Sequence, residues 1–141
     1  LPDFDDNPAT IDVLLFDNNT VVTRGDKDSA GKYSAATHYR INEETLDAEI
    51  VWTYGQELGA DYFTRIISSA RYLENSGNIL IDFGYADEGK RSSFVEVTHD
   101  AQSERVFEAE MTEFRTGAWA YRGVRYQIYN DLWEERFTLD K

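Results

Sequence analysis

The sequence predicts an all-β protein. Runs rich in Val, Ile, Tyr, Phe and Thr are separated by short Asp, Asn, Gly and Ser clusters, which is the pattern of strands joined by turns. Several runs alternate between apolar and polar residues, as at residues 94–98 (FVEVT), which is typical of a strand with one buried face. Short helices are expected only at residues 55–65 and 130–137.

Eight strands are predicted, each ending at a turn signal. The first follows the polar turn at residues 4–8, the second follows a longer loop at residues 19–32, and the fourth ends at the Glu-Asn-Ser-Gly turn of residues 74–77. In chain order the strands are expected near residues 12–17, 33–42, 48–54, 66–73, 78–84, 93–98, 105–111 and 119–129.

A weak internal repeat refines the fold class. Residues 13–18 (VLLFDN) resemble residues 79–84 (ILIDFG), and the strand at 39–41 resembles that at 95–97. A repeat of this size in an all-β chain is typical of stacked propeller blades. The chain is therefore interpreted as a β-propeller fragment of about two four-stranded blades plus an extra strand. Its units are expected at residues 1–55 and 64–113, and a further blade is expected to start at 118–129.

Charge and composition exclude several classes of function. The 141 residues carry 14 Lys and Arg against 27 Asp and Glu, a net charge of −13, and they include no Cys. This charge argues against a nucleic-acid partner and against an anionic membrane surface. Disulfides and Cys nucleophiles are excluded, no apolar run approaches the roughly 18 residues of a membrane span, and no nucleotide-cofactor motif is present. Because the sequence begins at Leu1 and not at a Met, its start is interpreted as a cut in a longer chain.

The two histidines and the acidic clusters receive structural interpretations. His38 lies in a predicted strand and is expected to be structural, whereas His99 in a turn beside Asp100 is expected to be solvated. Because they are 61 positions apart and no Cys accompanies them, no zinc site is predicted. The acidic residues are interpreted as surface turns, since none matches a calcium-binding loop; they are Asp3, Asp5, Asp6, Asp26 and Asp28.

The aromatic residues are more informative, in particular Tyr121 and its neighbour Arg122. On the opening strand of a blade this pair could face the propeller axis and meet a flat anionic ligand. The alternative is that such rings fill the space between blades, and the residues alone leave both readings open.

Several segments, in this order and spacing, resemble the C-terminal part of bacterial arylsulfate sulfotransferases, the type that needs no phosphoadenylyl sulfate. They are residues 14–18 (LLFDN), 33–36 (YSAA), 39–41 (YRI), 51–55 (VWTYG), 77–84 (GNILIDFG) and 121–122 (YR). The resemblance covers nearly the whole chain, and its most specific part runs from residue 39 to residue 55.

The resemblance implies a six-bladed propeller in which a histidine takes a sulfuryl group from an aryl sulfate and passes it to a phenol. The resemblance places that histidine before residue 1, so the chain alone is expected to be inactive. No cofactor and no metal site are expected. Tyr121 matches a substrate-contacting tyrosine of the family. A hydroxyl residue in the pocket wall of the family aligns with Ile67 or Ser68, depending on a one-residue choice in the alignment. Ser68 is therefore the second candidate for substrate binding. Relatives are often exported, to the periplasm or the cell surface.

Two other functions stay open at this point. One is a non-catalytic interaction module, in which exposed strand edges also favour self-association. The other is a carbohydrate-binding domain that uses Trp119 or Tyr121 as a stacking surface.

Overall fold

The computed structural model describes residues 1–20, 28–113 and 119–126, and its architecture is all-β, as predicted. Two separate antiparallel sheets account for the strands. The first has the order β1-β2-β3, with β1 at Thr10–Asp17, β2 at Ala35–Asn42 and β3 at Ala48–Tyr54. The second has the order β4-β5-β6-β7, with strands at Ser69–Leu73, Asn78–Tyr85, Arg91–Val97 and Arg105–Thr112.

Helical structure is sparse. A 3₁₀ segment at Gln56–Tyr62 occupies the region where a short helix is predicted, and a single helical turn, Ala86–Gly89, joins β5 to β6. Neither segment, nor any other helix in the described ranges, has the length and apolar character needed to cross a membrane. The helix predicted at residues 130–137 lies outside the described residues.

Two predicted strands differ from the structure. The strand expected at residues 66–73 begins only at Ser69, because Ile67 and Ser68 have left-handed φ angles of 56° and 88°, which a strand does not accommodate. Of the strand expected at residues 119–129, the described part, residues 119–126, is not a strand, and the remainder lies outside the described residues.

The core lies between the two sheets, which pack face to face. On β5 the alternate residues Ile79, Ile81 and Phe83 are fully buried and point toward the first sheet. There they join Ala36, Trp52 and Tyr54, and the rings of Phe16 and Phe83 meet edge to face at 5.6 Å. Each such fully buried side chain contributes about 1.5–3 kcal/mol through removal of apolar surface from water.

The opposite face of the second sheet is covered by residues 119–126. Gly123 lies against Phe94 of β6, and the backbone N–H of Gly123 donates to Ser69 Oγ of β4 at 3.2 Å. Because side chains alternate along a strand, this face carries Leu80, Asp82 and Gly84 of β5. The segment that contains the predicted site residue Tyr121 is thus held against β4, β5 and β6.

Candidate functional site

The predicted site residues Ser68 and Tyr121 lie near the same end of the second sheet. We call this end, made of residues 64–68, 84–85 and 119–121, the Ser68 edge. Ser68 Oγ accepts the backbone N–H of Gly84 at 3.0 Å. On its other side Gly84 meets the carbonyl of Ala120, the residue before Tyr121, so closely that a Cβ on Gly84 would stand 1.9 Å from that oxygen.

The turn that presents Ser68 is held in a strained conformation. Ile67 and Ser68 both have positive φ, which is a genuine outlier for a β-branched residue. The side-chain amide of Asn18 fixes the turn, since its Nδ2 donates to the carbonyls of Thr64 and Ile67, each at 2.8 Å. Strain that is maintained by surrounding hydrogen bonds is common where a backbone presents a functional side chain.

The Ser68 hydroxyl belongs to a small network with a spare donor. Ser68 Oγ and Thr64 Oγ1 are 2.7 Å apart, and Ser68 Oγ also accepts the backbone N–H of Gly84. Thr64 Oγ1 lies 3.0 Å from Asn18 Nδ2, whose two hydrogens are shared among this oxygen and the carbonyls of Thr64 and Ile67. The two hydroxyl groups carry one proton each, and only one of these protons is used in the hydrogen bond between them. The other O–H is left to donate elsewhere. Because Thr64 is fully buried and Ser68 is half-buried, donation by Thr64 leaves the Ser68 proton able to meet a ligand.

Tyr121 is 68% exposed, so in the described structure its ring does not fill the space between the sheets. The segment around it is anchored by its backbone: Ala120 N–H donates to Ser92 Oγ at 3.3 Å, and Gly123 N–H donates to Ser69 Oγ. The guanidinium of Arg122 lies 5.8 Å from the centre of the Tyr121 ring. Tyr121 is therefore a side chain displayed on a fixed backbone.

Replacing Gly84 with alanine tests whether β5 positions this segment. The added methyl group would overlap the backbone carbonyl of Ala120, so residues 119–123 must move, at an expected cost of about 1–3 kcal/mol in the free energy of unfolding. Urea unfolding followed by tryptophan fluorescence measures this loss. Gly123→Ala should cost less, because its Cβ would meet side-chain atoms alone, the Phe94 ring at 3.1 Å and Asp82 Cβ at 3.5 Å. Equal stability of Gly84→Ala and the wild type would contradict this packing.

A cavity of about 410 Å³ opens beside the Ser68 edge and is lined by Phe63, Arg65, Tyr85 and Glu88. Arg65 Nη2 donates to the Tyr85 hydroxyl at 3.1 Å, and its guanidinium lies 5.1 Å from the centre of the Tyr85 ring. Trp119 packs edge to face on the same ring at 5.3 Å. Sequence reasoning missed Arg65 and Tyr85, because they are 20 positions apart and only the pairing of β4 with β5 brings them together.

The two histidines meet near the opposite end of the second sheet, and the expectation that His99 is solvated is wrong. His38 on β2 is 1% exposed, and its Nδ1 lies 3.2 Å from Nε2 of His99, which follows β6. The imidazole of His99 is half-buried, with ring contacts to Phe4, Trp52 and Tyr72 at 5.1–6.2 Å. The structural interpretation of His38 fits its buried position. The distance from this end to the Ser68 edge is the length of β4, whose five residues span about 17 Å.

Asp12 anchors the histidine pair. Its carboxylate accepts from His38 Nε2 at 2.7 Å and from Arg40 Nε at 3.1 Å, and its side chain is 2% exposed. Burial alone would raise the pKa of Asp12, but the hydrogen bonds from His38, the Phe4 N–H and Arg40 hold it below its ordinary value. Burial, together with the neighbouring His38, lowers the pKa of His99. The surroundings of His99 therefore favour the neutral form of its imidazole.

Carboxylate oxygens of Asp3, Asp5 and Asp12 lie within 4.8 Å of one another near this end. Oxygen ligands of this kind are those a hard divalent cation prefers. Arg40 already pairs with Asp5 at 3.2 Å and with Asp12 at 3.1 Å, and Asp3 Oδ1 accepts the backbone N–H groups of Asp5 and Asp6. Their partners within the protein thus account for the closeness of these carboxylates.

Asp82 is a buried carboxyl group that the sequence analysis did not single out. It is fully buried on β5, and neither oxygen has a hydrogen-bond partner among the described residues. Burial raises the pKa of Asp82 to about 7. Its one signal in the sequence is a charged residue inside the apolar run of residues 79–83 (ILIDF), on the face that packs against Gly123.

The comparison with known families agrees with the resemblance found in the sequence. The profile of the family described as arylsulfotransferase (ASST) matches residues 2–122, which is most of the chain and includes Ser68, Tyr85 and Tyr121. No curated protein gives a significant match. The matched stretch spans both sheets and the segment packed on the second one. The chain belongs to the arylsulfotransferase (ASST) family.

Proposed function

We propose that the chain forms part of the active site of an enzyme that transfers a sulfuryl group from an aryl sulfate to a phenolic acceptor. The observation that carries this proposal is the family match over residues 2–122, because it includes both sheets and the Ser68 edge. The face-to-face packing of the sheets, with residues 119–126 covering the second, supports their role as neighbouring blades of a propeller.

The proposed reaction has two covalent steps through a histidine that precedes residue 1. In the first, a ring nitrogen attacks sulfur, the bond between sulfur and the aryl oxygen breaks, and the phenolate leaves and takes the proton that the imidazole ring gives up. In the second, the oxygen of the acceptor phenol attacks sulfur, the N–S bond breaks, and the acceptor proton is released. A covalent intermediate of this kind divides one difficult transfer into two and gives ping-pong kinetics.

The surroundings of His38 and His99 in the fold support a nucleophile that lies elsewhere. His38 is buried, and its ring nitrogens are occupied by Asp12 and His99. His99 lies among aromatic rings at the end remote from Ser68. In this proposal Ser68 and Tyr121 line the substrate pocket, where hydroxyl donors would stabilise oxygen atoms that gain charge during transfer.

A transfer assay with 4-nitrophenyl sulfate and a phenol acceptor tests the proposal. We expect activity in the protein that includes the upstream sequence and none in residues 1–141 alone. Tyr121→Phe and Ser68→Ala should each lower transfer by tenfold or more, since each removes a hydroxyl donor. Tyr126→Phe is the matched control, because Tyr126 is equally exposed on the same segment but lines a different groove.

Two outcomes would contradict parts of this proposal. A well-folded upstream-extended protein without transfer activity would overturn the assignment as an enzyme. Activity in residues 1–141 alone would overturn the upstream nucleophile and make His38 and His99 the residues to replace.

A further inference from the structure

The cavity beside the Ser68 edge contains a cation without a carboxylate partner in the described part of the chain. Arg40, Arg91, Arg105 and Arg125 each pair with an acidic side chain, whereas Arg65 has none within ion-pair distance among the described residues. In a chain with a net charge of −13, an exposed and uncompensated arginine at a cavity mouth is well placed to meet an anion from solution.

Arg65 is also oriented before any ligand arrives. Its Nη2 donates to the Tyr85 hydroxyl, and its guanidinium lies 5.1 Å from the centre of the Tyr85 ring. The Trp119 ring packs edge to face on the Tyr85 ring at 5.3 Å and helps to fix its position. Because the guanidinium has five N–H donors, most of them remain for a ligand.

The Tyr85 hydroxyl supplies a second donor at the same place. Its oxygen accepts from Arg65, so its own proton is left to donate, and a hydroxyl that accepts from a cation is polarised toward stronger donation. These two donors, together with the rings of Phe63 and Tyr85 that line the same cavity, match an anion attached to an aromatic ring. A volume of about 410 Å³ lies in the range of small-molecule pockets.

We propose that Arg65 and Tyr85 form the subsite that holds the anionic group of an aryl sulfate, with Phe63 and Tyr85 contacting its ring. The inference rests on the proposed function for the identity of the substrate, and it adds the residues that recognise the sulfate ester. The strained turn at Ile67 and Ser68 then places the Arg65 subsite and the Ser68 hydroxyl on one short segment.

Glu88 allows a test in which two substitutions in the same cavity should change anion binding in opposite directions. Its exposed carboxylate lines the same cavity, and a like charge opposes binding of an anion. Neutralising Glu88 should therefore strengthen binding, whereas neutralising Arg65 should weaken it. A cation-binding cavity would respond in the opposite way to both changes.

The experiment measures equilibrium binding of 4-nitrobenzenesulfonate, an aryl anion that cannot transfer its sulfonate group, by isothermal titration calorimetry on the purified protein. We expect Arg65→Gln to raise Kd by about tenfold to a hundredfold, since a charge-assisted hydrogen bond is lost. Tyr85→Phe, which keeps the ring, should raise Kd severalfold, and Glu88→Gln should lower it. Arg71→Gln is the matched control, because Arg71 is an exposed arginine in the middle of β4 and does not line the cavity. The Kd of this variant should equal that of the wild type.

The outcomes separate this inference from the proposed function. Binding that fails in the wild-type protein, or that is equal in wild type, Arg65→Gln and Tyr85→Phe, would overturn the subsite. Weaker binding in Arg71→Gln than in Arg65→Gln would also overturn it, since the anion would then be held elsewhere. A protein that binds the sulfonate through Arg65 but transfers no sulfuryl group would support the subsite while contradicting the proposed reaction.

Discussion

Replacing Asp12 with alanine is expected to lower the free energy of unfolding by about 3–5 kcal/mol. The Asp12 carboxylate is buried, with 2% of its side chain exposed, and it accepts from His38, which is equally buried. Alanine would leave the His38 ring nitrogen without its acceptor inside the protein, and a buried donor without a partner is costly. Urea unfolding at neutral pH measures the difference.

Asp5→Ala is the control for this change. Asp5 pairs with the same Arg40 but is exposed to solvent, so its removal should have little effect on stability. Because the pKa of Asp12 is lowered in the folded protein, its contribution is present above the unfolded pKa of 3.8 and is lost as the pH falls through the folded value. Equal stability of Asp12→Ala and Asp5→Ala would contradict a buried Asp12–His38 pair.

Replacing Asp82 with asparagine should change how stability depends on pH. In the unfolded chain this carboxyl group has an ordinary pKa of 3.8, and burial raises the pKa to about 7 in the folded protein. Between these values the folded protein binds more protons than the unfolded chain, so its stability falls as the pH rises. The loss amounts to roughly 4 kcal/mol and is complete above pH 7. Asp82→Asn cannot ionise and should not show this loss.

The measurement is the free energy of unfolding of both proteins at intervals between pH 4 and pH 8. The lowered pKa of His99 gives stability that rises with pH in part of this range, but it acts in both proteins and cancels in their difference. Asp47→Asn, at an exposed position, should follow the wild type throughout. A constant difference between Asp82→Asn and the wild type across the range would show that Asp82 is ionised in the folded protein.

The strands could be predicted from the sequence because each is a local pattern. Alternation and turn clusters predict the third strand at residues 48–54, where β3 lies, and the first seven strands all lie within a few residues of their predicted bounds. The eighth, expected at residues 119–129, is not a strand over its described part. The prediction at residues 66–73 was too long because the strand is shortened by a tertiary contact. Asn18, nearly 50 positions away, bonds the carbonyl of Ile67 and holds the turn in a conformation that no local pattern reveals.

The side-chain clusters could not be predicted in the same way. His38 and His99 meet only because the two sheets pack face to face, and Arg65 meets Tyr85 only through the pairing of β4 with β5. Asp82 had a visible signal, a charge within an apolar run, but its burial depends on residues 119–126 crossing that face of the sheet. Ser68 and Tyr121 were found through a family resemblance, and their closeness to Gly84 is a property of the fold.

We propose that this chain lines the pocket of a sulfuryl-transferring enzyme whose nucleophile is a histidine before residue 1. The most direct test is peptide mapping by mass spectrometry after the upstream-extended protein is mixed with an aryl sulfate in the absence of acceptor. We expect one sulfuryl group on a histidine upstream of Leu1, which is lost when a phenol is added. A sulfuryl group on His38 or His99, or an unmodified protein that still turns over, would contradict it.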